Sequence, residues 1–241
     1  MIEMGITFLI IMLAGVVQGM TSFGFSLIAV PLLGIILPLK AFVPMLVLFS
    51  LLMNLALFKN LKGSFEVKRI IVLVCAGLAT TSIGIGMLKY VSDGTLKLVV
   101  GIVIVISAIA MSFGLRIKIK NKVVGDIIAG VFSGILNGSV SLSGPPVILL
   151  LSNEDTEKEV FRKTLTTFFL VLNFVSLPMF FMNGLLTFDV IKLSAANLPA
   201  LGLGLFLGLK AGEMFSEKHF KTMTLGLIFV MGIMSLTSAV F

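Results

Sequence analysis

The chain has 241 residues, 58% of them hydrophobic and only 12% charged, with a mean hydropathy of +1.19. A soluble domain has about 45–50% apolar and about 25% charged residues, so the composition excludes a water-soluble enzyme and makes the lipid bilayer the main partner. The formal charge of +7 sits in short basic clusters between apolar runs, as membrane topology requires, and these are too short for a nucleic-acid surface.

The chain opens MIEMG, with an acid and no basic n-region, and its apolar stretch exceeds a signal peptide, so it is expected to be retained. Residues 5–39 carry no charge, but inside them residues 14–31 read AGVVQGMTSFGFSLIAVP, a polar, glycine-rich break. Charge-free runs follow at 41–58, 70–88 and 98–115, each long enough to cross about 30 Å of hydrocarbon as helix. A basic linker at 116–122 comes next, and a second break, AGVFSGILNGSVSLSGPP, occupies 129–146. Further runs cover 164–188 and 222–241. Cys75 is the only cysteine, so no intrachain disulfide forms, and its apolar surroundings predict a packed thiol.

The two breaks belong to an internal repeat. At an offset of 115 residues, Ala14, Gly15, Val16, Gly19 and Pro31 meet Ala129, Gly130, Val131, Gly134 and Pro146. At 119, Phe49 and Asn54 meet Phe168 and Asn173; at 124, Gly84 meets Gly208. The matches keep their order along the chain. If residues 5–39 cross once as a long tilted helix, the halves are parallel and Lys and Arg split nine against nine, against the positive-inside rule. If each broken segment turns at its break and leaves by the face it entered, the halves are inverted. Lys40, Lys89, Lys97 and Lys192 then stand against the other 14. The second arrangement is the one expected: an all-α integral membrane protein of two inverted repeats, each a broken, re-entrant segment plus three transmembrane helices. Residues 1–115 form the first repeat, 116–122 a cytoplasmic linker and 123–241 the second, with both termini outside.

Unwound backbone inside a bilayer survives only where protein buries it or a watery cavity receives it. The first helix is expected to open at residues 20–24 and the second at 136–144, resuming at Pro145–Pro146 with Ser143 as N-cap. Helix N-termini aimed at mid-membrane offer free N–H groups and partial positive charge to an anion. The candidate binding residues are Gln18, Thr21, Ser22 and Gly24 in the first break, and Ser133, Asn137, Gly138, Ser139, Ser141 and Ser143 in the second. All their side-chain polar groups are neutral, so a bare metal ion finds no charged ligand there. Glycines four apart, Gly15/Gly19 and Gly130/Gly134, read first as helix-packing contacts. The repeat-related Asn54 and Asn173 are either glue between helices or further ligands. Arg162 and Lys163 read as topology signals or as an attraction for anions at the cytoplasmic mouth. Lys210 is expected to snorkel to the cytoplasmic interface. No cofactor motif is present, and His219 is the only histidine, which disfavours an intramembrane enzyme.

On the segments Gly15/Gly19/Gly24–Pro31 and Gly130/Gly134–Pro146, the four apolar segments per half and the basic linker, the chain resembles the sulfite exporter TauE/SafE family of membrane permeases. That resemblance implies transport of sulfur-containing anions, such as sulfite or organosulfonates, across the bacterial cytoplasmic membrane. The family often has consecutive glycines in the break, where this chain has Phe23-Gly24-Phe25 and Gly138-Ser139. The expected function is a secondary transporter of such anions working by alternating access. Export is favoured because an interior-negative membrane drives anions outward. A cation or metal permease and a non-transporting membrane assembly subunit are the competing readings, and monomer and homodimer both fit.

Overall fold

The computed structural model describes residues 2–61, 64–112, 121–154 and 156–213. The last apolar run, His219 and residues 116–120 of the linker lie outside the described residues. The described chain is helical, in the order α1 (Ile2–Thr21), α2 (Phe25–Ile36), α3 (Leu39–Asn60), α4 (Val67–Tyr90), α5 (Asp93–Ser112), α6 (Lys122–Val140), α7 (Gly144–Asn153), α8 (Lys158–Met182) and α9 (Phe188–Glu213). Six of these, α1, α3, α4, α6, α8 and α9, are long and apolar enough to cross a membrane, whereas α2 and α7 are shorter.

The breaks therefore divide unequal arms. The 20 residues of α1 and 19 of α6 reach about 30 Å at 1.5 Å per residue, while the 12 of α2 and 10 of α7 reach about 18 and 15 Å. These two short lengths together match the 22 residues, about 33 Å, of α3. Side-chain contacts show where the elements end. At one end of the bundle, Leu39 N–H donates to Asp93 Oδ2 (2.8 Å) and Lys40 Nζ to Lys89 O (2.8 Å). At the other, Lys163 Nζ donates to Phe58 O (2.7 Å) and Leu61 O (3.0 Å), the free carbonyls at the end of α3.

Two tight helix pairs brace the bundle. Helix α1 lies along α9, with Gly15 against Gly204 and Gly19 against Gly208; α4 lies along α6, with Gly77 against Gly130 and Gly134, and Gly84 against Gly138. Residue numbers rise together across both interfaces, so each pair runs parallel. A Cβ at Gly19 would stand 2.9 Å from Gly208 and one at Gly130 2.5 Å from Leu73 O, distances no packed methyl tolerates. Thr80 Oγ1 adds a bond to Val131 O across the second pair (2.8 Å). The packing reading of the spaced glycines is thus the one realised.

Near the second end, Arg69 grips Glu154 through Nη1–Oε2 (2.6 Å) and Nη2–Oε1 (3.1 Å). Its Nε lies 2.9 Å from Asp126 Oδ1 as an ion pair without hydrogen-bond alignment. This cluster ties the C-terminal end of α7 to the starts of α4 and α6. Large apolar side chains such as Ile71, Phe132, Phe174 and Phe206 are exposed on the outer surface, as lipid contact demands. Cys75 is a correction to the sequence reading: it is exposed, because α4 turns Gly77, not Cys75, toward α6.

Candidate functional site: a cavity between two broken helices

In the first break α1 ends at Thr21, whose hydroxyl donates to Val17 O (2.8 Å) and touches Phe23 O. Ser22 takes a left-handed conformation (φ 67°) and its N–H still reaches Gln18 O (2.7 Å). Gly24 follows at φ 99°, where a side chain would be strained. The Gln18 side chain then bridges the gap: Oε1 accepts from Phe25 N–H (3.2 Å), and Nε2 donates to Ser22 O (3.2 Å) and Asn54 Oδ1 (3.4 Å). Because Ile28 N–H is the first of α2 to find a backbone carbonyl, that of Gly24, the N–H groups of Ser26 and Leu27 are left open at the helix start.

The second break is shorter than its sequence suggests. Residues 136–140 continue α6, so Asn137, Gly138 and Ser139 are helical, and only Ser141–Ser143 are unwound. Gly138, which reads as a breaker, instead faces Thr81 and Gly84 of α4. Ser139 donates to Ile135 O (2.8 Å), the back-bond usual for a helical serine. Ser141 is left-handed (φ 58°) with its N–H on Asn137 O (3.0 Å). Ser143 occupies the N-cap position of α7 but its side chain caps nothing. Pro145 and Pro146 remove two of the four free N–H groups at the start of this helix, leaving Gly144 as the first donor.

The breaks meet. Ser26 Oγ and Ser141 Oγ are 3.3 Å apart, beside a small, partly open cavity. Gln18, Ser26, Ser50, Ser141 and Ser143 supply its polar side chains, with backbone from Gly24 and Gly144. Phe25, Leu27, Leu142 and Phe169 supply apolar walls. Among the described residues, none that is acidic or basic lines it. Behind it runs a buried chain of amides and hydroxyls. Asn54 Nδ2 donates to Ser50 O (2.7 Å) and Ser50 Oγ (3.1 Å), Asn173 Nδ2 to Ser50 Oγ (3.0 Å), and Asn137 Nδ2 to Ser176 Oγ (3.1 Å). Ser176 Oγ in turn reaches Asn173 O (3.4 Å).

The profile of the family described as Sulfite exporter TauE/SafE matches residues 7–235, a span that includes both breaks. The chain belongs to the TauE/SafE family. No curated protein and no solved structure matches it.

Within this TauE/SafE protein, four of the candidate residues named from sequence, Gln18, Gly24, Ser141 and Ser143, line the cavity. Asn54, Asn137 and Asn173 stand behind it in the polar chain. Thr21, Ser22, Ser133, Gly138 and Ser139 do not line it; Ser133 is fully buried with an Oγ that meets no partner among the described residues. Sequence reasoning missed Ser26, Ser50, Phe25 and Phe169. Ser26 was within reach, since it precedes Ser141 by the repeat offset of 115. Ser50 was signalled only by its place one helical turn before Asn54. Arg162 and Lys163, read as topology signals or as an attraction for anions at the cytoplasmic mouth, are 8% and 9% exposed. Arg162 donates from Nε to Ser22 Oγ (2.9 Å) and from Nη2 to Gly19 O (3.4 Å), while Lys163 caps α3. Two successive cations of α8 thus complement the negative ends of α1 and α3.

Proposed function

We propose that this protein exports small sulfur-containing anions, sulfite or organosulfonates, across the bacterial cytoplasmic membrane by alternating access around its two breaks. The contact between Ser26 and Ser141 carries the reading. They are 115 residues apart, the same offset that aligns the two breaks, and a residue touching its own repeat-mate lies beside the axis that relates the repeats. This supports two inverted repeats, 1–115 and 123–241, with the cavity between them.

The placement of charge supports the same topology. Lys40, Lys89 and Lys97 gather at one end, where Lys97 reaches Gly34. Arg69, Arg162 and Lys163 lie at the other. Putting the more basic end in the cytoplasm sets the start of α1 outside.

An anion in the cavity would meet hydroxyls, the Gln18 amide and the open N–H groups of Ser26, Leu27 and Gly144. A cation would meet no carboxylate. Because α1 and α6 are clamped by glycine contacts, the short arms α2 and α7 are the parts able to tilt, opening the cavity to one face at a time. An interior-negative potential of 100 mV favours outward movement of one negative charge by about 2.3 kcal/mol, so export needs no coupling ion.

The test is flux of sulfite and methanesulfonate in proteoliposomes under an imposed potential. Wild type should carry the anion toward the positive side, and Ser26→Ala and Ser141→Ala should each lower kcat/KM about tenfold or more, since a hydrogen bond to a charged group is worth about 1.5–3 kcal/mol. Wild-type protein that moves neither anion, with the vesicles intact, would end the proposal.

A further inference from the structure

The hydroxyl of Ser50 is wired differently from several other helical hydroxyls of this protein. Ser139, Thr167 and Ser194 donate to carbonyls one turn back, at 2.8, 2.7 and 2.7 Å. Ser50 makes no such bond. Its Oγ instead accepts twice, from Asn54 Nδ2 at 3.1 Å and Asn173 Nδ2 at 3.0 Å. Asn54 cannot be turned over, because the same Nδ2 donates to Ser50 O at 2.7 Å and a carbonyl only accepts; Asn173 faces Ser50 through Nδ2 and leaves its buried Oδ1 without a partner among the described residues.

A serine hydroxyl has two lone pairs and one proton. With Asn173 Nδ2 and Asn54 Nδ2 both on Ser50 Oγ, its lone pairs are engaged, only the proton remains, and no protein acceptor among the described residues receives it. The residue lines the cavity.

We propose that Ser50 is a substrate-binding residue locked as a donor, and that Asn54 and Asn173, one from each half of the chain, are the positioning residues that lock it. The inference rests on the anion-transport reading and sharpens it. A free serine hydroxyl can turn to meet either a donor or an acceptor. Ser50 can meet only an acceptor, so the group facing it is an unprotonated oxygen of an oxyanion, whereas an ammonium or a metal ion would confront a proton. Selectivity here comes from hydrogen-bond polarity rather than from a fixed charge.

The experiment compares wild type, Ser50→Ala and Ser50→Cys in proteoliposomes, with methanesulfonate, whose three oxygens carry no proton, and with sulfite. Thermal melting in detergent checks the fold of each variant. For the anion that wild type carries, Ser50→Ala should raise KM about tenfold or more, the size expected for losing one bond to a charged acceptor. Ser50→Cys, close in volume but a weak donor, should raise it less, with the maximal rate changing little in both. A role confined to holding the asparagines would lower the melting temperature and leave KM alone. A wild-type KM in either folded variant would remove Ser50 from the site while leaving anion transport standing. Absence of flux in wild type would remove both together.

Discussion

Two serines, Ser22 and Ser141, hold left-handed backbone (φ 67° and 58°) at the ends of α1 and α6. For a residue with a Cβ that conformation costs roughly 1–2 kcal/mol, and such strain persists where the surroundings over-determine it. Ser22 is held by Arg162, whereas Ser141 has only its N–H bonds and the contact with Ser26. Ser141→Gly should therefore melt at or slightly above the wild-type temperature while its sulfite flux falls; a clearly lower melting temperature would mean that the serine side chain holds the break together. Arg162→Leu removes a cation from the C-terminal end of α1 and a bond to Ser22, and should destabilise by about 1–2 kcal/mol in thermal unfolding. Polarity within the breaks was legible from sequence, and so was the candidacy of Gln18, Ser141 and Ser143. What each hydroxyl does was not. Ser139 and Ser141 are two residues apart with the same chemistry, yet one bonds its own helix and the other faces the cavity, because the helix ends between them.

The glycines of α1, α4, α6 and α9 decide how closely these helices approach. Gly134 packs so tightly on Gly77 and Thr80 that an added Cβ has no room, whereas Gly86, on the same helix as Gly77, has nothing within 4 Å. Gly134→Val should cost at least about 1–3 kcal/mol through overpacking, and Gly86→Ala should be neutral or stabilise by up to about 1 kcal/mol; melting of the two variants side by side checks the contrast. The ion cluster gives a further expectation. Arg69→Leu would strand Asp126 and Glu154, the first almost fully buried, and should destabilise by about 3 kcal/mol, the lower end for a broken buried pair because Glu154 is partly exposed. The existence of both breaks followed from the pattern of apolar residues, but the bounds of the later helices did not: α8 spans Lys158–Met182 where the charge-free run lies at 164–188. The true end of α6 did not, since Gly138 signals a break in sequence and is used for packing instead.

At the scale of the whole molecule, the proposed sidedness is open to a direct check. In a Cys75→Ser background, cysteine at Tyr90, 81% exposed, should react with a membrane-impermeant reagent added to intact cells, and cysteine at Asn60 only after permeabilisation. The reverse pattern would invert the topology. That the chain is a polytopic helical bundle was legible from composition and charge. The pairing of α1 with α9 and of α4 with α6 was not, because apolar helices carry no address and small residues fit many partners.

That pairing has a consequence for how the protein is made. Gly15 meets Gly204, so α1 finds this neighbour only after nearly 190 more residues have been joined, about 10–40 s at 5–20 residues per second. Throughout that interval its bare glycine face must wait in the lipid or lean on a temporary companion. Biogenesis, more than the finished fold, is where α1 is most vulnerable.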